Sequence, residues 1–137
     1  MCYYIIGILP KNVDIDSLNT IKGKYNMRFE PHKTMMVDKY IPKKSITVRC
    51  TESDCDCGTS LLHGETRENN EEELIMWFFM IKDLLALKKM KYMGLLIQWF
   101  DQHKPTNLLK NKIKLDINKI TYLDMCKLEE DVLYIFK

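Results

Sequence analysis

Glycine and proline are scarce in this chain, five and four in 137 residues, and so are arginine (Arg28, Arg49, Arg67) and histidine (His32, His63, His103). Each shortage removes a class of function. There is no Gly-x-Gly-x-x-Gly or Gly-x-x-x-x-Gly-Lys run, hence no backbone cradle of the usual kind for a nucleotide phosphate, and no nucleotide cofactor is expected. Neither Cys-x-x-Cys nor His-x-x-x-His occurs, which removes the common redox and helical metal pairs. No acid is placed to orient a histidine, so no nucleophile-activating set is assembled and the chain is not expected to be an enzyme. The opening ten residues hold no basic leader, and their apolar run is far shorter than the roughly 18 residues a membrane span needs. A cytosolic protein with no membrane partner is the expectation.

What is present is globular in character. Hydrophobic residues make up 46% and charged residues 29% of the sequence, neither a disordered nor a low-complexity composition, and no internal repeat is visible. A chain of this length buries most of its apolar surface around a single core, so one domain over residues 1–137 is expected. The net charge is only +2, but its distribution is uneven. Between residues 51 and 73 stand eight acids (Glu52, Asp54, Asp56, Glu65, Glu68, Glu71, Glu72, Glu73) against one base, Arg67. Between residues 82 and 119 nine lysines face three acids. Such a dipole suits a basic partner at one end and an acidic one at the other, although charge runs are most often solvated faces. Tyr92, Trp99 and Phe100 are interleaved with the lysines, but they fall in an apolar run that reads as core. With so few arginines, nucleic-acid binding is not expected.

Hydrophobic periodicity gives the elements. Residues 3–9 are a near-continuous apolar run closed by Pro10, the pattern of a buried strand. Val13, Leu18 and Ile21 follow at helical spacing, with Asp14 and Asp16 where a helix N-terminus favours negative charge, predicting a helix that ends between residues 23 and 26. Residues 27–42, punctuated by Pro31 and Pro42, read as loop with a short extended piece. Residues 45–50 alternate and are β-branched, a strand. Asn70 before three glutamates predicts a helix start, and Leu74, Trp77, Phe78, Ile81, Leu84 and Leu85 recur at three and four residues. This helix is apolar nearly all round from residue 74 to 81. It is therefore expected to lie between the sheet and another layer, or to be covered in part by a partner chain or a second copy. Residues 92–100 predict a central strand, 112–118 an edge-type strand with Ile113, Leu115 and Ile117 inward, 122–128 a helical turn, and 131–136 a last strand. The sum is an α+β domain with a mixed or antiparallel sheet and two main helices packed largely on one face.

The densest chemistry is the stretch Cys50-Thr-Glu-Ser-Asp-Cys55-Asp-Cys57-Gly58-Thr59, followed by His63, which gathers three of five cysteines and one of three histidines. Cys50, Cys55, Cys57 and His63 have the softness for tetrahedral zinc, but Cys-x-Cys is a tighter bite than the usual zinc knuckle. Cys57 is a candidate nucleophile if the Gly58 and Thr59 backbone N–H groups and His63 surround it. The plainer reading is a tight turn after a strand, with Gly58 at positive φ and the cysteines as small buried hydrophobes. Five cysteines is an odd number, and in a reducing compartment a disulfide is the least favoured use. His32 and His103 read as exposed loop residues.

The opening Met-Cys-Tyr-Tyr-Ile-Ile-Gly-Ile-Leu-Pro, with Cys-Asp-Cys-Gly-Thr, resembles a small group of uncharacterised bacterial proteins of similar length, a likeness that covers most of the chain and implies no activity. In class, though not in motif, the chain is also similar to bacterial immunity proteins, which bind and block a cognate toxin. That likeness implies a non-catalytic protein-binding module with no cofactor, its eight acids meeting a basic toxin domain. The alternative is a metal- or thiol-dependent protein centred on the 50–63 loop, with zinc as the cofactor.

Overall fold

Nine consecutive strand residues at the N-terminus, Cys2–Pro10 (β1), carry Ile5, Ile6, Ile8 and Leu9, all at most 1% exposed. A strand apolar on both sides must be covered on both sides. A computed structural model describes residues 2–32, 41–52, 55–62, 70–100 and 109–137. These form α1 (Ile15–Tyr25), β2 (Glu30–Pro31), β3 (Ser45–Arg49), α2 (Glu71–Leu85), β4 (Met93–Phe100), β5 (Asn111–Leu115), a 3₁₀ helix (Tyr122–Lys127) and β6 (Val132–Phe136). The strands make one sheet in the order β2-β3-β1-β4-β6-β5, every pairing antiparallel except β5 with β6. The α+β class and the two main helices are as the periodicity predicts, and of the two sheet types it left open, mixed or antiparallel, the sheet is mixed. Among the described residues no helix is long and apolar enough to cross a membrane.

Alternation along the strands separates two cores. Ile5 and Leu9 of β1, Met93, Leu95 and Ile97 of β4, and Val132, Tyr134 and Phe136 of β6 join the helices in the larger one. Ile6, Ile8, Leu96, Leu133 and Ile135 point the other way, into a smaller cluster with Tyr4, Ile41, Tyr92 and Leu109 packed against it. β6 is therefore buried at every position. β5 lies at the sheet edge and alternates, with Lys112 and Lys114 exposed and Ile113 and Leu115 half-buried.

Both helices start where polar side chains can cap them. Asp14 accepts from the Ser17 N–H at 3.2 Å and Ser17 Oγ at 2.6 Å, and Asn26 ends α1 in the left-handed region at φ 55°. Asn70 accepts from the Glu73 N–H at 3.3 Å, satisfying one of the orphan donors of α2's first turn. Leu74, Trp77, Phe78, Met80, Ile81 and Leu84 of α2 are buried. α1 is tied to α2 through Asp83, which accepts from Lys24 Nζ at 2.9 Å and from the Tyr25 hydroxyl. The 3₁₀ helix packs on α2 as well, and Tyr122 donates to Glu71 at 2.6 Å. α2 is thus sandwiched as expected, but only in part, since Ile75 and Phe79 stay outside.

Candidate functional site

The cysteine loop takes over from β3 as the neighbour of β1. Pairing of β1 with β3 ends at Ile6 opposite Arg49. The chain then stays alongside: the Cys50 N–H donates to the Ile5 carbonyl (3.1 Å) and the Asp56 N–H to the Tyr3 carbonyl (2.9 Å). The Ile5 N–H donates to Asp56 Oδ2 (3.0 Å) and the Tyr3 N–H points at Cys57 Sγ (3.4 Å). A carboxylate and a sulfur stand where a strand's carbonyls would. The backbone of the first half of β1 is paired in this way without a further strand.

Asp56 is 6% exposed. Its second oxygen accepts from Thr51 Oγ1 at 2.6 Å, and its carbonyl accepts from the Thr59 N–H at 3.0 Å. This corrects its place among the partner-facing acids, because a buried carboxylate with both oxygens engaged has no free edge to offer. Glu73 is likewise drawn inward, accepting from Thr59 Oγ1 (2.7 Å) and the Ser60 N–H (3.0 Å) and so clamping the loop to α2. Leu61 is fully buried beyond the clamp, and Leu62 bridges to Leu128.

The cysteines part company. Cys50 is fully buried with its sulfur over Gly7, where an added Cβ would come within 2.9 Å of it. Burial, and then the nearby Asp56 charge, push its thiol's pKa upward, and its side chain packs as a small buried core residue. The sulfurs of Cys55 and Cys57 lie in disulfide contact, with Cα atoms 5.6 Å apart, which corrects the expectation that disulfide pairing is the least favoured use of the cluster. The odd cysteine count and the expected reducing compartment argued against it; the Cys57 N–H turning back to Cys55 Sγ at 3.4 Å shows how the loop closes over one intervening residue. His63 lies outside the described residues, as do Asp54, Glu65, Glu68 and His103. Among the described residues no group of three or more His, Cys, Asp or Glu side chains is arranged to hold a metal ion. His32 is half-buried against Tyr4 (ring centroids 6.3 Å apart) rather than exposed, and burial lowers its pKa, with Arg49 adding to the shift.

Beside the loop, a cleft of about 300 Å³ is lined by Thr51, Cys55, Asp56, Thr59, Glu73 and Trp77. Of the eight acids, Glu52, Glu71 and Glu72 are the described ones that face solvent. Glu71 accepts a hydrogen bond from the Tyr122 phenol, which raises the phenol's pKa. Glu72 makes no ion pair among the described residues. One helical turn further along the same side of α2 stand Ile75, 36% exposed, and Phe79, 47% exposed, with Leu123 of the 3₁₀ helix also exposed. Sequence periodicity read this helix as apolar nearly all round, sandwiched in the fold or covered in part by a partner chain, without singling out an outer face. The signal for its outer face was there in the i, i+4 spacing of Glu71, Ile75 and Phe79, which the buried set does not use.

No known protein family, curated protein or solved structure matches the chain.

Proposed function

We infer that the chain is a non-catalytic protein-binding module whose contact face is the outer side of α2. The observation that carries this is the exposure of Phe79 and Ile75, one turn apart, on a helix face that water would ordinarily make polar. A large aromatic flanked by an aliphatic residue suits the centre of an interface, where such side chains supply most of the binding energy. Glu71 and Glu72 adjoin it at the N-terminal end of the helix, and Glu52 is a further exposed acid. The occupant that suits this border is a basic protein surface, steered by charge and held by apolar contact. In its most concrete form the module acts in the cytosol as an immunity-type inhibitor of a basic toxin domain, for example one whose lysines and arginines grip nucleic acid.

The test compares wild type, Phe79→Asp and Glu71→Lys/Glu72→Lys as baits in the source cell. The expected result is a basic partner retained by wild type, released by rising salt, and lost from both variants. Partners held equally by all three baits would refute the α2 face.

A second reading, thiol chemistry at the loop, is favoured by one observation: the half-buried Cys55–Cys57 pair lies beside the cleft lined by Glu73 and Thr59. If that pair works as a redox couple, Cys55→Ser must change the protein's reactivity toward a dithiol while leaving partner capture intact.

A further inference from the structure

At the opposite end of the sheet from the cysteine loop, three separate turns bring lysines to one concavity. Lys11 follows β1, Lys43 and Lys44 precede β3, and Lys89 and Lys91 precede β4; they surround a cleft of about 370 Å³ with Tyr92 and Pro10 in its wall. All five are exposed, and none forms an ion pair among the described residues. Among the described residues no acidic side chain lines the cleft. Tyr92 is held in place by its hydroxyl's contact with Ser45 Oγ, which itself donates to the Pro42 carbonyl at 2.7 Å.

The backbone adds an independent observation. Two Lys-Lys pairs, Lys43-Lys44 and Lys88-Lys89, sit at the corners of turns, the first closed by Ser45 on the Pro42 carbonyl and the second by the Met90 N–H on the Leu87 carbonyl at 3.1 Å. In both, the second lysine has positive φ, 63° at Lys44 and 70° at Lys89. Glycine and asparagine are the residues that take this position without steric penalty. Two turns bordering one cleft both hold a lysine there, against local preference, and that mismatch is the kind a functional site tolerates.

We propose that this cleft is a binding site for a compact ligand carrying two or more phosphate groups. Convergence of ammonium groups from three segments on one concavity fits a small polyanion, and the cleft's volume is in the range of small-molecule sites. Lysine serves as a point charge for phosphate, without the planar fork that reads base edges. The basic surface is also short. The neighbouring concavity, reached past Lys88 and Lys89, is lined by Asp14 and Asp16 at the start of α1, and these would repel an extended nucleic-acid backbone running that way. The site uses side-chain charge in place of a glycine-rich loop, which is why no phosphate motif marks it in the sequence. It is separate from the α2 face and does not depend on the protein-binding reading.

The experiment titrates the full chain with inorganic tripolyphosphate at low salt by calorimetry, for wild type, Lys44→Gly/Lys89→Gly, and Lys11→Gln/Lys43→Gln. Glycine accepts positive φ, so the first variant removes two charges without straining either turn, and its thermal midpoint is measured alongside. Saturable one-to-one binding by wild type, weakened at least about tenfold in both variants with no fall in midpoint, is the expected result. Absence of saturable binding, or equal binding by all three proteins, would overturn the site. A single-stranded oligonucleotide bound more than about tenfold tighter than tripolyphosphate, with binding weakened equally by Lys112→Gln/Lys114→Gln on β5, would overturn the compact ligand in favour of a nucleic-acid track.

Discussion

Replacing Asp56 separates a structural loop from a partner-binding one. In Asp56→Ala the Ile5 N–H loses its acceptor, and Ile5 is 1% exposed, so water cannot replace it. An unsatisfied buried N–H costs about 1–3 kcal/mol, and the lost bond was to a carboxylate, the stronger kind. The Thr51 hydroxyl loses its partner too, but Thr51 is half-buried and rehydrates at little cost. The expected loss is therefore about 3 kcal/mol, a large part of the 5–15 kcal/mol typical of a domain. Asp56→Asn keeps one oxygen for the Ile5 N–H and can donate its amide to Thr51 Oγ1, so it is expected to cost only about 1 kcal/mol. Urea unfolding followed by tryptophan fluorescence, with all proteins in the same redox buffer, measures both. A change below about 0.5 kcal/mol for Asp56→Ala would refute the account of the loop as a replacement strand, and would return Asp56 to the surface acids.

Trp77, 1% exposed among the α2 core residues, should lose about 3–5 kcal/mol on Trp77→Ala through the cavity left behind; a neutral effect in calorimetric unfolding would mean that the helix is not seated on the sheet. Protein purified without chelator should carry less than roughly half an equivalent of zinc by elemental analysis, and Cys50 should take up a maleimide label only after denaturation, because its sulfur is enclosed; labelling of Cys50 in the native protein would show the core open there. The Asp83 carboxyl is held below its ordinary value by the Tyr25 hydroxyl, with Lys24 adding to it. Its contribution is present above the unfolded value near 3.8 and is lost as pH falls through the lower folded one. Asp83→Asn should then be less stable than wild type at neutral pH and equal to it in strong acid. The difference should be small, since the Lys24–Asp83 pair is solvent-screened, and a gap that persists at low pH would assign the effect to packing.

Much of the fold was readable along the chain because strands and helices announce themselves locally. The apolar run of residues 3–9, the β-branched run at 45–49 and the capped three-and-four pattern after Asn70 each state their own period, and each became the element predicted. Even β5 was legible as an edge strand, since one solvated face imposes strict alternation. Its parallel pairing with β6 was not, because orientation depends on the path of residues 116–131 through the 3₁₀ helix, which no local pattern encodes. The sites follow the same division. Residue composition singled out the cysteine loop, but whether a given sulfur or carboxylate faces in or out depends on which backbone groups of β1 remain unpaired after β3 ends. That is a fact about two strands 43 residues apart in sequence where their pairing ends, at Ile6 and Arg49, and it turned Asp56 inward and enclosed Cys50. The five lysines of the basic cleft were all visible as residues, yet they come from three turns that meet only because β1, β3 and β4 are adjacent in the sheet. Charge and chemical type are properties of the residues themselves, whereas convergence is set by long-range backbone pairing and core packing, and these exist only in the folded chain.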